Sequence, residues 1–183
     1  MAVTYKLIET ITVGSGGAAS IEFGSIPQTY TDLKVVLSLR SAGTRFATIY
    51  YEPMGYRFNS ATTGYTGTRE LYGNGSTVVS GAETTLTIGG GTWGRLTAYG
   101  MTNAGDTASV FTSCEMYIPN YTASTNKSFS FDYVQENNAT GASQEMNAVL
   151  WSNTSAITTI AFALFSENFV QYSSASLYGI KNS

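Results

Sequence analysis

Residues 21–41 read IEFGSIPQTYTDLKVVLSLRS. Ile21 and Phe23 share one parity, and after a break Leu33, Val35, Leu37 and Leu39 do the same while Lys34, Ser38 and Arg40 point the other way. Apolar side chains at every second position belong on one face of a half-buried strand. Between the two runs, Gly24 to Asp32 collects Gly, Ser, Pro, Gln and Thr. Pro27 biases Ile26 toward extended backbone, and the Asp32 carboxylate can accept from nearby backbone N–H groups. The whole stretch predicts strand, corner, strand, with both apolar faces entering one core.

The same alternation recurs along the chain. The first segment, from Tyr5 to Val13, places Tyr5, Leu7, Glu9, Ile11 and Val13 on one parity and Ile8 on the other. Strands are predicted over 33–39, 95–101, 108–119, 127–136, 145–151, 157–165 and 173–180, each pair separated by turn residues such as Asn103-Ala104-Gly105-Asp106. TIYYEPMGYRF (48–58) holds Pro53 and Gly55, which predicts a turn or bulge in place of an unbroken central strand. From Asn59 to Gly91 the chain is rich in Gly, Ser and Thr, and long loops with one or two short strands are expected. GSGG (14–17) and GGG (89–91) lack the Lys-Ser/Thr of a phosphate loop and read as turns that need positive φ. No helical period and no fixed repeat is visible, which disfavours a propeller or β-helix. The expectation is a single all-β domain over 1–183: an antiparallel β-sandwich, jelly-roll-like, with long Gly/Ser/Thr-rich loops.

Composition narrows the function. Charged residues make up 11% of the chain and the net charge is −3, so no basic field exists to neutralise a phosphate backbone, and nucleic acid is not expected as a partner. No run approaches the apolar length of a membrane-spanning helix, and MAVTYKLIETITV lacks the apolar centre of a signal peptide. The chain has no histidine and one cysteine, Cys114. That excludes an internal disulfide, the usual Ser-His-Asp and Cys-His nucleophile arrangements, and histidine- or cysteine-based zinc sites. Cys114 lies in an alternating run and is expected to be a small buried side chain.

Carboxylate chemistry remains. Glu115, Asp132, Glu136 and Glu145 are the nearest candidates for a glycosidase pair, and Asp132 and Glu136 share a strand parity. Residues four apart on a strand are about 13 Å apart, too far for the spacing of a retaining enzyme, though a partner on a neighbouring strand stays open. The plainer reading is a solvated or interface-facing strand face. Calcium would need clustered carboxylates, and the loops at 103–106 and 137–138 offer too few. No catalytic, cofactor-binding or metal residue is therefore assigned. Trp93, Trp151 and the group Tyr50, Tyr51, Met54 and Tyr56 are candidate stacking platforms or interface anchors. Trp151, in AVLW at the end of an alternating strand, reads as core. Tyr50, Tyr51, Met54 and Tyr56 are taken as the candidate partner interface, with Arg40 and the segment 43–56 beside them.

YKLIETITVGSGGAASIEFGSIPQTYTDLKVVLSLRS, the pieces FNS and LYGNGS, and the ending AITTIAFALFSENFVQYSSASLYGIK resemble a family of small tailed-bacteriophage virion proteins, cyanophage-like, with IPQTYTDL and SLYGI the most distinctive phrases. The likeness covers both ends and only short pieces of 43–101. It implies a non-enzymatic β-sandwich located in the virion and acting through protein contacts, with no cofactor. Within it, the expected role is a capsid cement or decoration protein that binds the major capsid protein and copies of itself, as a homo-oligomer such as a trimer. An alternating strand straight after Met1, with no coiled-coil stalk before it, favours cement over a fibre tip in this reading. The alternative is a tail-fibre or receptor-binding module that recognises host surface glycan.

Overall fold

The computed structural model describes residues 4–44, 52–83, 85–97, 101–136 and 142–181. Among them run thirteen strands and no helix: β1 (Thr4–Thr12), β2 (Ser20–Phe23), β3 (Asp32–Leu39), β4 (Met54–Phe58), β5 (Tyr65–Gly73), β6 (Val78–Glu83), β7 (Thr85–Ile88), β8 (Gly91–Arg95), β9 (Thr112–Ile118), β10 (Lys127–Glu136), β11 (Ala142–Trp151), β12 (Ile160–Leu164) and β13 (Ser174–Lys181). They form an eight-stranded sheet, β1-β13-β3-β9-β10-β11-β5-β6, and a five-stranded sheet, β2-β12-β4-β8-β7. Every strand pairing is antiparallel.

Each strand from β1 to β4 changes sheet. So do β12 and β13, which lie between strands from the start of the chain. With β5, β6, β7, β10 and β11 set aside, the two sheets read β1-β13-β3-β9 and β2-β12-β4-β8. This is the order made by rolling up one long antiparallel ribbon, the jelly roll. The β10–β11 and β5–β6 hairpins then widen only the larger sheet. The stretch 24–31 is the corner expected for it, carrying the chain from β2 in the small sheet to β3 in the large one. Ile26 is buried there, its N–H bonds Thr158 O, and the Gln28 side chain donates to Ile26 O and Ile157 O. Asp32 accepts from Asn120 N–H and the Tyr117 hydroxyl, both 2.8 Å away and remote in sequence.

The core lies between the sheets. Leu33, Val35, Leu37 and Leu39 of β3, Cys114, Met116 and Ile118 of β9, and Phe129 and Phe131 of β10 face Ile21 and Phe23, Met54, Tyr56 and Phe58, and Ile160 and Phe162 of the small sheet. Tyr56 and Phe58 sit 5.1 and 5.3 Å from Phe129, and Phe58 lies 5.3 Å from Trp151, an aromatic cluster that seals the start of β10 and the end of β11 onto β4. Gly94 of β8 makes room for it, because a Cβ there would stand 2.2 Å from the Tyr56 ring.

Four local expectations change. The register slips between Leu7 and Glu9, so parity reverses at Ile8: Tyr5 and Leu7 are exposed while Ile8 and Ile11 pack on the core. One extra residue in an antiparallel strand has this effect. The span 59–91 holds three strands, β5 of nine residues among them, where long loops with one or two short strands were expected. Of the strand expected over 95–101, Arg95 is the last residue of β8, Leu96 and Thr97 are not in a strand, and 98–100 lie outside the described residues. Finally, β9 begins only at Thr112, because the preceding turn is gathered by Arg40. Buried at 7% exposure, its guanidinium donates to Thr107 O at 2.9 Å, Val110 O at 2.7 Å and Asp106 O at 3.1 Å. Arg40 is thus a structural clamp and not a surface contact. Gly17, Gly89 and Gly90 have the positive φ expected of their turns.

Candidate functional site

Of the four residues expected at a partner interface, Tyr50 and Tyr51 lie outside the described residues. Met54 and Tyr56 are core residues, 0% and 1% exposed. The reason is parity: Pro53 precedes the strand, and Met54, Tyr56 and Phe58 then take its inward face while Gly55 and Arg57 take the outward one. Burial raises the Tyr56 phenol far above its ordinary range, with Tyr65 adding to the effect. Trp151 is fully buried, in agreement with its place in AVLW. Trp93 sits on the outer side of the small sheet with Leu86, Ala161 and Ala163, under the Arg57 guanidinium 4.3 Å from its ring, and is only 8% exposed. Neither indole presents an open stacking platform. Cys114 is buried as expected, and burial followed by the Glu145 charge pushes its thiol well up.

The candidate acids divide between the two faces of the large sheet. Glu115, Asp132 and Glu136 point outward. Asp132 stands directly across from Glu115, a position for which Cβ atoms are about 5 Å apart. Burial and then the Glu115 charge raise the Asp132 carboxyl, while Glu115 is tied to Lys34 at 2.7 Å. This pair is the neighbouring-strand partner left open for Asp132, and it lies on an open sheet face. A saccharide needs walls to hold it against two carboxylates. Asn103 and Asp106 close on their own loop: Asn103 N–H donates to Asp106 Oδ2 and Gly105 N–H to Asn103 Oδ1. Among the described residues no group of three His, Cys, Asp or Glu side chains converges on a point where a metal ion would sit.

Glu145 points inward, fully buried, opposite Tyr133 of β10 and Tyr72 of β5. One row away, Asn147 faces Glu70, and at the sheet's end Gln135 faces Ser143. Glu70, Gln135, Ser143, Glu145 and Asn147 are all at least nine-tenths buried. Burial, and then the Glu145 charge, lifts the Tyr133 phenol far above its usual range. Gln135 Oε1 and both amide atoms of Asn147 have no hydrogen-bond partner among the described residues. Glu70 was not singled out in the sequence, since TGTREL shows no inward apolar stripe that would have marked a strand.

The outer side of the same strands is apolar. Leu71 faces Met146 across β5 and β11, Val134 lies one row further on β10, and Gly73 faces Val78 of β6. Their exposure is large for such side chains: Val78 74%, Met146 51%, Val134 50% and Leu71 48%. Together with Gln144 they line a shallow groove of about 470 Å³. A contiguous apolar patch on a sheet face is a docking surface more often than a solvated one. Comparisons of the chain with protein-family models, with curated proteins and with solved structures find no match.

Proposed function

We propose that the protein is a non-enzymatic structural component of a virion that acts through protein contacts, most specifically a capsid cement or decoration protein. The observation that carries this reading is the apolar outer face formed by Leu71, Val78, Val134 and Met146 on a rigid antiparallel sheet. The resemblance of both chain ends to tailed-phage virion proteins supplies the setting. In this reading the face docks on the major capsid protein. The groove takes an apolar side chain of the shell, and the polar strand residues around it form the rim. Burying it adds interface between neighbouring capsomers and stabilises the assembled shell by mass action, because the protein binds the assembled form only. A sandwich cross-braced by eight-on-five strands holds such a surface without ordering on contact, so little entropy is lost when it docks.

The test pairs localisation with a variant. Reconstruction of the particle should show the chain on the outer shell, and Met146→Lys together with Val134→Lys should weaken its retention on particles at least tenfold. Because both side chains are exposed, the variant's unfolding midpoint should match that of the parent. Density on the tail alone, or unchanged retention of the variant, would overturn the proposal.

A further inference from the structure

The two sheets have four edges, and three of them are blunted. β1 carries a bulge at Ile8 and the charged residues Lys6 and Glu9. β2 and β7 are four residues each. These are the usual ways in which a sheet avoids pairing with a copy of itself. β6 has no bulge and is longer than β2 and β7, and its one charged residue, Glu83, stands at its end. It reads VVSGAE, with no Lys and no Pro, and it pairs with β5 in unbroken register from Val78 through Glu83. Val78, Val79, Ser80 and Ala82 are all exposed, and Val78 at 74% is the most exposed large apolar side chain among the described residues.

We infer that β6 pairs antiparallel with β6 of a second copy, joining two eight-stranded sheets across a two-fold axis. The pairing chemistry selects that partner. A two-fold normal to the sheet keeps outward residues outward, so directly opposed residues must have the same parity and the axis passes through one residue position. Val78, Ser80 and Ala82 share the face of Leu71, and Val79 shares the face of Tyr72. With Ser80 opposite Ser80, Val78 meets Ala82 and Val79 meets Gly81. Over 78–82 every facing pair is then small or β-branched, and Glu83 meets Thr77, so no charge opposes a like charge. A foreign strand would need a row of side-chain pockets along the edge for its specificity, and of VVSGAE only Val78 borders the groove. The contact is isologous and closed, which ends the assembly at two copies along this edge. It also lays Val78 against the other copy at the rim of the outer groove, so each dimer presents two grooves on one continuous face. The inference concerns the edge of the sheet and stands apart from what the outer face binds.

Sedimentation of the full chain over a range of concentrations tests it. The parent should sediment at twice the chain mass. Ser80→Lys places two ammonium groups across the axis and Ser80→Glu two carboxylates, so each variant alone should show a halved mass, with dimerisation weakened at least tenfold. Mixing the two variants should restore the doubled mass, because Lys then faces Glu. Ser80 is exposed and outward, and both variants should keep the parent's unfolding midpoint. A parent that stays monomeric at all concentrations, a variant that keeps the doubled mass, or a mixture that does not recover it would overturn the inference.

Discussion

The two halves of the large sheet obey opposite rules. Across β13, β3 and β9 the inward face is aliphatic, with Leu33, Val35, Leu37, Met116, Ile118 and Leu177 buried, and the outward face carries Lys34, Ser38, Glu115 and Ser176. Toward the free ends of the β10–β11 and β5–β6 hairpins the assignment reverses. Polar Gln135, Glu145, Asn147 and Glu70 are buried while Leu71, Val134 and Met146 are exposed. The crossover runs along β11 itself, whose inward residues pass from Ser143, Glu145 and Asn147 to Val149 and Trp151. The first half meets the small sheet and spends its apolar surface on the core. The second half belongs to the hairpins that widen the large sheet alone, and it turns its apolar surface outward. The buried apolar surface of the first half holds the two sheets together, and in the proposed reading the exposed apolar surface of the second half is the part that meets a partner.

The contrast breaks most readily in the apolar half. Leu37→Ala removes a side chain that is 2% exposed, and should cost about 2–5 kcal/mol in denaturant unfolding. In the reversed half the sign should change. Asn147 is buried with both amide atoms unpartnered among the described residues, so Asn147→Leu should stabilise the protein by about 1–3 kcal/mol. A loss of stability there would mean that the amide is satisfied by an ordered water or ligand, and that the polar half is a site and not a cost.

The smallest effect is one of pH. The Tyr117 hydroxyl donates to Asp32 at 2.8 Å, and that bond, followed by burial, raises its phenol to about 12. A phenol whose folded value is raised favours the folded state fully below about pH 10, the ordinary value, and loses that contribution as pH rises toward 12. Tyr133 in the other half is raised by burial and Glu145 instead. Asp32→Asn should therefore make Tyr117 ionise at lower pH, followed by phenolate absorbance, and leave Tyr133 unmoved. Unchanged titration of Tyr117 would remove Asp32 as the cause.

Legibility in the sequence followed the same division. Strands β3, β10 and β13 were readable nearly to the residue, because an inward aliphatic stripe and a polar outward face give a clean period of two. β5 was not readable, since its inward positions are Thr68, Glu70 and Tyr72 and its outward ones include Gly67, Arg69 and Leu71. Neither face is apolar enough to mark a strand, and the pairing with β11 and β6 is what makes it one. Glu70 and its neighbours were hidden for the same reason. Met54 and Tyr56 were misplaced as interface residues because a loop was expected around Pro53 and Gly55, whereas β4 begins just after the proline.

By itself the sequence determined an all-β antiparallel chain, the corner at 24–31, the burial of Cys114 and Trp151, and the lack of histidine or disulfide chemistry. These follow from residue identity and from local alternation, which need no knowledge of neighbours. The tertiary structure decided which sheet each strand joins, where parity reverses at Ile8, and which face of β10, β11 and β5 turns inward. A strand always offers two faces, and when both are mixed, only the strands and the opposing sheet around it determine which one is buried.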